Sequence, residues 1–142
     1  MGRSGQARQT LTAIVEADPG RVWDALLESL PYVTPRMREM ITASDGSVRF
    51  PADATGIYVE SDNEQRTLAL SGQWWFRGVY RVGQEGSHAL VSYQVFNVAP
   101  AATRWLVPLV AGSALRASAR PQFEQVLASI ATRLDCPVRL VG

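Results

Sequence analysis

The stretch LTAIVEADPGRVWDALLESL, residues 11–30, predicts a strand that is followed directly by a helix. Residues 9–17 alternate in polarity, which is typical of a half-buried strand; its apolar face carries Leu11, Ala13 and Val15. Asp18 is suited to cap a helix and Pro19 to occupy its first position. The apolar residues that follow fall on one helical stripe, namely Val22, Trp23, Leu26, Leu27 and Leu30. We therefore predict a strand followed at once by an amphipathic helix that ends at Pro31.

Further strands are predicted in the middle of the chain. RTLALSG (66–72), QWWFRGVYRV (73–82) and HALVSYQVFNV (88–98) combine β-branched and aromatic residues, and they are bounded by the turns SDNEQ (61–65) and GQEGS (83–87). Parallel strands need long crossover connections, and these connections are short. The pattern therefore predicts an antiparallel meander.

The segment after the first helix carries weaker signals. We predict a strand for residues 37–43, because SDG (44–46) is typical of a hairpin turn. Three apolar residues of this segment fit a helix equally well: Met37, Met40 and Ile41. VRFPADATGIYVE (48–60) predicts an interrupted strand, and its Pro51 and Gly56 indicate a sheet edge or a bulge.

Residues 101–134 are helical in composition. One apolar stripe marks the last helix, with Phe123, Leu127, Ile130 and Leu134. Pro108 should break this region, and Pro121 either kinks the last helix or lies in its first turn. We expect residues 1–8 to be a flexible arm and residues 135–142 a C-terminal tail.

Composition limits the classes of function. A chain of 142 residues is most simply one domain, and a net charge of +1 argues against nucleic acid as a partner. Cys136 and His88 are the only residues of their types. Internal disulfides, multi-cysteine metal sites and paired-histidine zinc sites are therefore excluded. We expect no metal and no cofactor. The longest apolar run is far shorter than the roughly 20 residues of a membrane span, and the start lacks the apolar segment of a signal peptide. A cytoplasmic protein without integral membrane association is expected.

The order of strand, helix, several antiparallel strands and long helix, together with the ADP junction and the VW pair in LTAIVEADPGRVWDALLESL, resembles the START-like superfamily. This helix-grip (Bet v 1-like, SRPBCC) group includes a pollen allergen, polyketide cyclases/dehydrases and lipid-transfer domains. The resemblance covers residues 9–134. It implies an α+β fold, in which a curved antiparallel sheet wraps around a long C-terminal helix. A hydrophobic cavity would lie between the sheet and this helix. It implies no fixed catalytic residues.

Strand alternation selects the residues that would line such a cavity. In residues 73–82 the even-numbered side chains are aromatic or uncharged and should face inward, whereas Trp75, Arg77 and Arg81 should face outward. Gly78 would leave a gap on the inner face. The predicted lining is Trp74, Phe76, Tyr80, Tyr93, Asn97, Trp105, Leu109, Phe123 and Leu127. For each aromatic residue the alternative is ordinary packed core.

The sequence is compatible with three functions. The first is binding of a hydrophobic or amphipathic ligand that is lipid-like or polycyclic. The second is an aromatase/cyclase-type enzyme, in which Tyr80, Tyr93 or Asn97 handle the oxygens of a polyketide-like substrate. The third is an interaction module that uses Trp75, with a homodimer as one form. No catalytic residue is assigned, because the predicted inward set contains no carboxylate and no histidine, which favours binding.

Other candidates carry weaker signals. Arg49 and Arg104 could pair with an acidic ligand head at the cavity rim, although solvated surface arginines are favoured. The segment RWLVPLVAG (104–112) is either a lid or the part that seats the last helix on the core. His88 is expected to be an exposed turn residue and Cys136 an incidental thiol.

Overall fold

The fold is described from a computed structural model of the chain. The structure describes residues 7–30, 32–51, 58–72, 76–97 and 113–141, with the backbone alone at 7–9, 72, 76, 97 and 113–119. The elements, in chain order, are β1 (Ala7–Val15), α1 (Pro19–Ser29), α2 (Pro35–Thr42), β2 (Ser47–Pro51), β3 (Tyr58–Asp62), β4 (Thr67–Gly72), β5 (Phe76–Glu85), β6 (His88–Asn97), α3 (Ser113–Leu134) and β7 (Val138–Val141).

The strands form one antiparallel sheet in the order β2-β3-β4-β5-β6-β1-β7. From β2 to β6 each strand pairs with the next, as the meander prediction requires. β1 then lies between β6 and β7, where Ala13 is opposite both Val91 and Leu140. The helices α1 and α3 pack against each other and against the sheet. This α+β arrangement is a helix-grip fold, so the predicted fold class is confirmed.

The start of α1 follows the sequence signals. The Asp18 carboxylate accepts hydrogen bonds from the backbone N–H groups of Gly20 and Arg21, at 3.0 and 3.3 Å. Pro19 opens the helix, where its missing N–H leaves no intrahelical bond unmade. The helix buries the predicted stripe, and it ends at Ser29 with Leu30 as its C-cap. The strand followed by a capped helix is therefore confirmed.

The prediction of a strand at residues 37–43 is wrong, because this segment forms α2. The backbone N–H of Met37 donates to Thr34 Oγ1 at 3.1 Å, which caps the helix. Pro35 lies in the first turn. Met37 and Ile41 are buried on one face, four residues apart. The SDG segment accordingly connects a helix to a strand and is not a hairpin turn.

Three further segments differ from prediction. The segment 48–60 contributes to two strands, β2 and β3, which pair antiparallel with Arg49 opposite Glu60. β2 is an edge strand, as Pro51 indicated. The expected tail 135–142 contains β7, which pairs with β1 through Val15 and Val138. The expected arm 1–8 overlaps β1, which begins at Ala7.

α3 covers the inner face of the sheet and continues through Pro121, which lies inside the helix. Its buried stripe comprises Phe123, Val126, Leu127 and Ile130. Polar side chains also join α3 to α1. The hydroxyls of Ser29 and Ser129 lie 2.8 Å apart, and Arg133 Nη1 lies 3.5 Å from Glu28 Oε1.

The turn between β3 and β4 is held against α1 by one hydrogen bond. The indole N–H of Trp23 donates to Asn63 Oδ1 at 2.7 Å, and the rest of the Trp23 side chain is buried in the core. Arg66 ends this turn with a φ of 53°, in the left-handed region. The bond therefore joins two elements that are distant in sequence.

We expect Asn63→Ala to lower the free energy of unfolding by about 1–2 kcal/mol, because it leaves the Trp23 indole N–H without this acceptor. Asn63→Asp keeps an acceptor oxygen at the same place and should cost less than half as much. Urea denaturation followed by circular dichroism measures both. Equal losses in the two variants would show that the bond to Trp23 contributes nothing beyond the asparagine's other roles.

Candidate functional site

Three aromatic rings connect the inner face of the sheet to the C-terminal helix. Tyr80 on β5 and Tyr93 on β6 are direct cross-strand partners, with ring centroids 4.3 Å apart and planes inclined by 21°. Phe123 on α3 completes the group, with centroid distances of 6.4 Å to Tyr80 and 6.3 Å to Tyr93. We call Tyr80, Tyr93 and Phe123 the aromatic cluster. Offset and stacked rings at these separations attract each other beyond simple area burial.

The alternation of the strands places this cluster where the sequence predicted it. Tyr80 and Tyr93 are 3% and 6% exposed, and Phe123 is 0% exposed. Arg77 and Arg81, at the odd positions of β5, lie on the opposite, outer face of the sheet, where Arg77 Nη1 is 3.2 Å from Glu60 Oε1. Tyr80 and Tyr93 therefore face inward, as strand alternation predicted, and Phe123 is buried against them.

A third tyrosine joins this region from a connection that sequence reasoning did not single out. Tyr32 lies between α1 and α2 and packs, half-buried, against the core. Its neighbours in the connection, Leu30 and Val33, are both buried. A large aromatic residue flanked by apolar residues in so short a connection is the signal that could have identified it.

All three phenol groups are held in the protonated form. Burial raises the pKa of Tyr32 well above its ordinary value, and the nearby Tyr80 and Tyr93 raise it further. Burial also raises the pKa of Tyr80, with an added contribution from Tyr93, and burial raises the pKa of Tyr93 itself. At neutral pH these groups therefore act as uncharged hydrogen-bond donors and acceptors, and none is a base.

Leu127 lies one turn further along α3 than Phe123, on the same buried face. It lines a groove of about 330 Å³ between α3 and β7, together with Glu124, Ala128, Ala131, Val138 and Leu140. It is buried and belongs to the same core as Phe123. Leu127 therefore contributes both to the core that contains the aromatic cluster and to this groove.

The remaining predicted lining residues are described in part or not at all. Phe76 and Asn97 are register partners at one end of the β5–β6 pair, where the structure describes the backbone. The other positions lie outside the described residues: Trp74, Trp105 and Leu109, together with Trp75, Arg104, Pro108 and the segment 104–112.

Arg49 does not face the interior. Its guanidinium carbon lies 4.2 Å from the centroid of the Tyr58 ring, on the outer face of the sheet. It shares this face with Glu60 and Arg77, which agrees with the favoured interpretation of Arg49 as a surface arginine. Alternation accounts for this position, because Val48 and Phe50 take the inward positions of β2.

His88 and Cys136 lie apart from the aromatic cluster. His88 opens β6 opposite Glu85 at the end of the β5–β6 hairpin, and it is half-buried where full exposure was expected. Cys136 is a free thiol between α3 and β7, and burial raises its pKa. A thiol with a raised pKa is a poorer nucleophile at neutral pH.

Within the described ranges, no group of three or more histidine, cysteine, aspartate or glutamate side chains is arranged to hold a metal ion. None of the helices that the structure describes is long and apolar enough to cross a membrane.

Comparison with known proteins found distant structural similarity. No protein-family model and no curated protein matches the sequence. The structure is similar to that of TTHA0849 from Thermus thermophilus, at 14% identity and a TM-score of 0.46 over 88% of this chain and 99% of that one. It is also similar to the Zhui aromatase/cyclase of a Streptomyces species, at 12% identity and a TM-score of 0.47 over 89% and 94% of the two chains. Similarity at this level concerns the backbone fold alone and assigns no activity.

Proposed function

We propose that the protein binds a hydrophobic or amphipathic small molecule, lipid-like or polycyclic, between the inner face of the sheet and α3. The observation that carries this proposal is the gathering of three tyrosines and Phe123 on an otherwise mainly aliphatic face. Small-molecule sites are mostly apolar and contain a few polar groups that fix the orientation of the ligand. The aromatic cluster supplies flat apolar contact, and the phenol hydroxyls of Tyr32, Tyr80 and Tyr93 supply the polar groups.

Among the described residues, the inner face has no charged side chain, which supports a ligand that is largely apolar. The only buried polar residue among those with described side chains is Ser61, whose hydroxyl donates to the Thr67 carbonyl at 3.0 Å. The remaining buried side chains of the described core are aliphatic or aromatic. The binding free energy of a ligand in contact with them would come chiefly from removing its own apolar surface from water.

Native mass spectrometry of the protein purified from its host, followed by solvent extraction, tests the proposal directly. A co-purifying hydrophobic compound that leaves on extraction is the expected result. If the protein is recovered free of ligand, and no lipid or polycyclic aromatic from a panel raises its melting temperature, the inner face is packed core and the proposal is wrong.

A second candidate function is an aromatase/cyclase-type reaction on a polyketide-like substrate. It is favoured by the three phenol groups, which could hold carbonyl oxygens while the apolar surroundings exclude water. The two functions differ in what the hydroxyls must do. In binding alone they contribute affinity, whereas in catalysis they act on the reacting oxygen.

Replacing Tyr80 and Tyr93 by phenylalanine separates these two functions. For a binding protein, each variant should lose about 0.5–1.5 kcal/mol of affinity for the extracted ligand, the contribution of one hydrogen bond. For an enzyme, turnover should be abolished while affinity changes little. Calorimetry measures the affinity and product analysis the turnover. Tyr58→Phe, which alters an exposed tyrosine on the outer face, is the matched control and should change neither.

A further inference from the structure

The inner and outer faces of the sheet differ sharply in charge. The ion pairs of the described residues all lie on exposed or half-exposed surfaces: Arg77–Glu60, Arg120–Glu124 and Arg133–Glu28. In the described part of the chain, no arginine, aspartate or glutamate is buried in the core. A ligand on the inner face would therefore meet no countercharge from these residues.

The polar groups at the aromatic cluster come from three different elements. Tyr80 and Tyr93 face each other across two neighbouring strands, at 4.3 Å between ring centroids. Tyr32 approaches from the α1–α2 connection and packs against the same core. A phenol is uncharged at neutral pH, because its ordinary pKa is near 10. Burial raises the pKa of all three hydroxyls further. Together they can donate hydrogen bonds to acceptor oxygens without compensating a negative charge.

We propose that this site selects its ligand by charge. It accepts uncharged ring compounds that carry a carbonyl or similar acceptor oxygen, it rejects ionised carboxylates, and Tyr32 is the third hydroxyl that recognises the oxygen. This inference rests on the proposed binding function and specifies its ligand class.

The physical basis is the cost of desolvation. A carbonyl oxygen that leaves water exchanges one hydrogen bond for another when a phenol donates to it. An ionised carboxylate that enters the same place loses a much stronger hydration, and uncharged donors replace only part of it. In a ketone and a carboxylate with the same ring system, the apolar rings gain the same binding free energy from contact with the aromatic cluster. The difference in affinity therefore reports on the oxygen-bearing group alone.

Three naphthalene derivatives substituted at the same ring position test the inference: methyl naphthyl ketone, naphthoate and ethylnaphthalene. They have nearly the same shape and differ in the polarity and charge of one group. Binding is measured at neutral pH by titration calorimetry, or by fluorescence where solubility limits the concentration. We expect the ketone to bind more than about tenfold more tightly than naphthoate, because only naphthoate buries a charge.

Tyr32→Phe examines the third hydroxyl. Ketone affinity should fall about three- to tenfold, the effect of one lost hydrogen bond, while ethylnaphthalene affinity should stay unchanged. Tyr58→Phe, on the outer face, should alter neither. Circular dichroism of each variant confirms that the fold is retained.

The outcomes separate this inference from the proposed function. If naphthoate binds as tightly as the ketone, selection by charge is wrong, although the binding function stands. If Tyr32→Phe weakens ketone and ethylnaphthalene equally, or neither of them, Tyr32 does not recognise the oxygen. If none of the three compounds binds to the wild-type protein, this inference is overturned. The proposed function is overturned only if, in addition, no compound co-purifies and no lipid or polycyclic aromatic raises the melting temperature.

Discussion

Raising the pH from about 9 to about 11 should lower the free energy of unfolding by about 3 kcal/mol. Tyrosine in an unfolded chain loses its proton near pH 10, whereas burial raises the pKa values of Tyr32, Tyr80 and Tyr93 in the folded protein. Below pH 10 both states hold these protons and the full stability is present. Above pH 10 the unfolded state releases them first, so stability is lost as the pH rises towards the folded-state pKa values.

The size of the effect follows from the two groups with the largest shifts. Each pH unit between the unfolded and folded pKa values costs about 1.4 kcal/mol per group. Tyr32 and Tyr80, whose pKa values are raised furthest, should together account for most of the loss at pH 11. All fourteen basic residues are arginine, so no lysine titrates in the same range. The Cys136 thiol, whose pKa is also raised by burial, titrates in this range as well. The tyrosine contribution is therefore the difference between the wild-type protein and a variant that lacks these hydroxyls.

Urea denaturation at a series of pH values measures this loss. A double variant carrying Tyr32→Phe and Tyr80→Phe should lose less than about 1 kcal/mol over the same range. Tyr58→Phe should show the full loss of the wild-type protein. A double variant as sensitive to alkali as the wild type would contradict the burial of these two hydroxyls.

Phe123→Ala should lower the free energy of unfolding by about 3–5 kcal/mol. The Phe123 side chain is fully buried and contacts the sheet next to Tyr80 and Tyr93, so its removal opens a cavity at the junction between α3 and the sheet. The loss combines the transfer of the ring with the unfilled volume that remains.

Two further variants show whether volume is the cause. Phe123→Leu fills most of the space and should cost clearly less than the alanine variant. Gln122→Ala changes the exposed neighbouring residue on the same helix and should stay within about 0.5 kcal/mol of the wild type. A loss below about 1 kcal/mol for Phe123→Ala would show that α3 does not depend on this contact.

The parts of the fold that the sequence predicted depend on local signals. The β1–α1 junction follows from alternation, from the Asp18 cap and from Pro19. The inward positions of Tyr80 and Tyr93 follow from the two-residue period of a strand. In each case the residues that specify the structure lie within a few positions of each other.

The parts that were missed depend on contacts distant in sequence or on competing local signals. β7 is four residues long and is stabilised by pairing with β1, which no local pattern reveals. α2 begins after Thr34 with Pro35, residues typical of a helix start, but the SDG segment after it is typical of a hairpin turn, so the local signals compete. Tyr32 lies in a connection, where no periodicity indicates which way a side chain faces.

The position of β1 has a consequence for how the chain folds during synthesis. β1 is made first, yet its partners β6 and β7 lie far along the chain. Until β6 has been made, the backbone hydrogen-bonding groups of β1 have no native partners, and α1 lacks its contacts with β6 and α3. Contacts so distant in sequence form slowly, and open strand edges are prone to pair with other chains. The yield of native protein should therefore depend on ribosome speed and on chaperones that shield the nascent chain, even where the finished protein is stable.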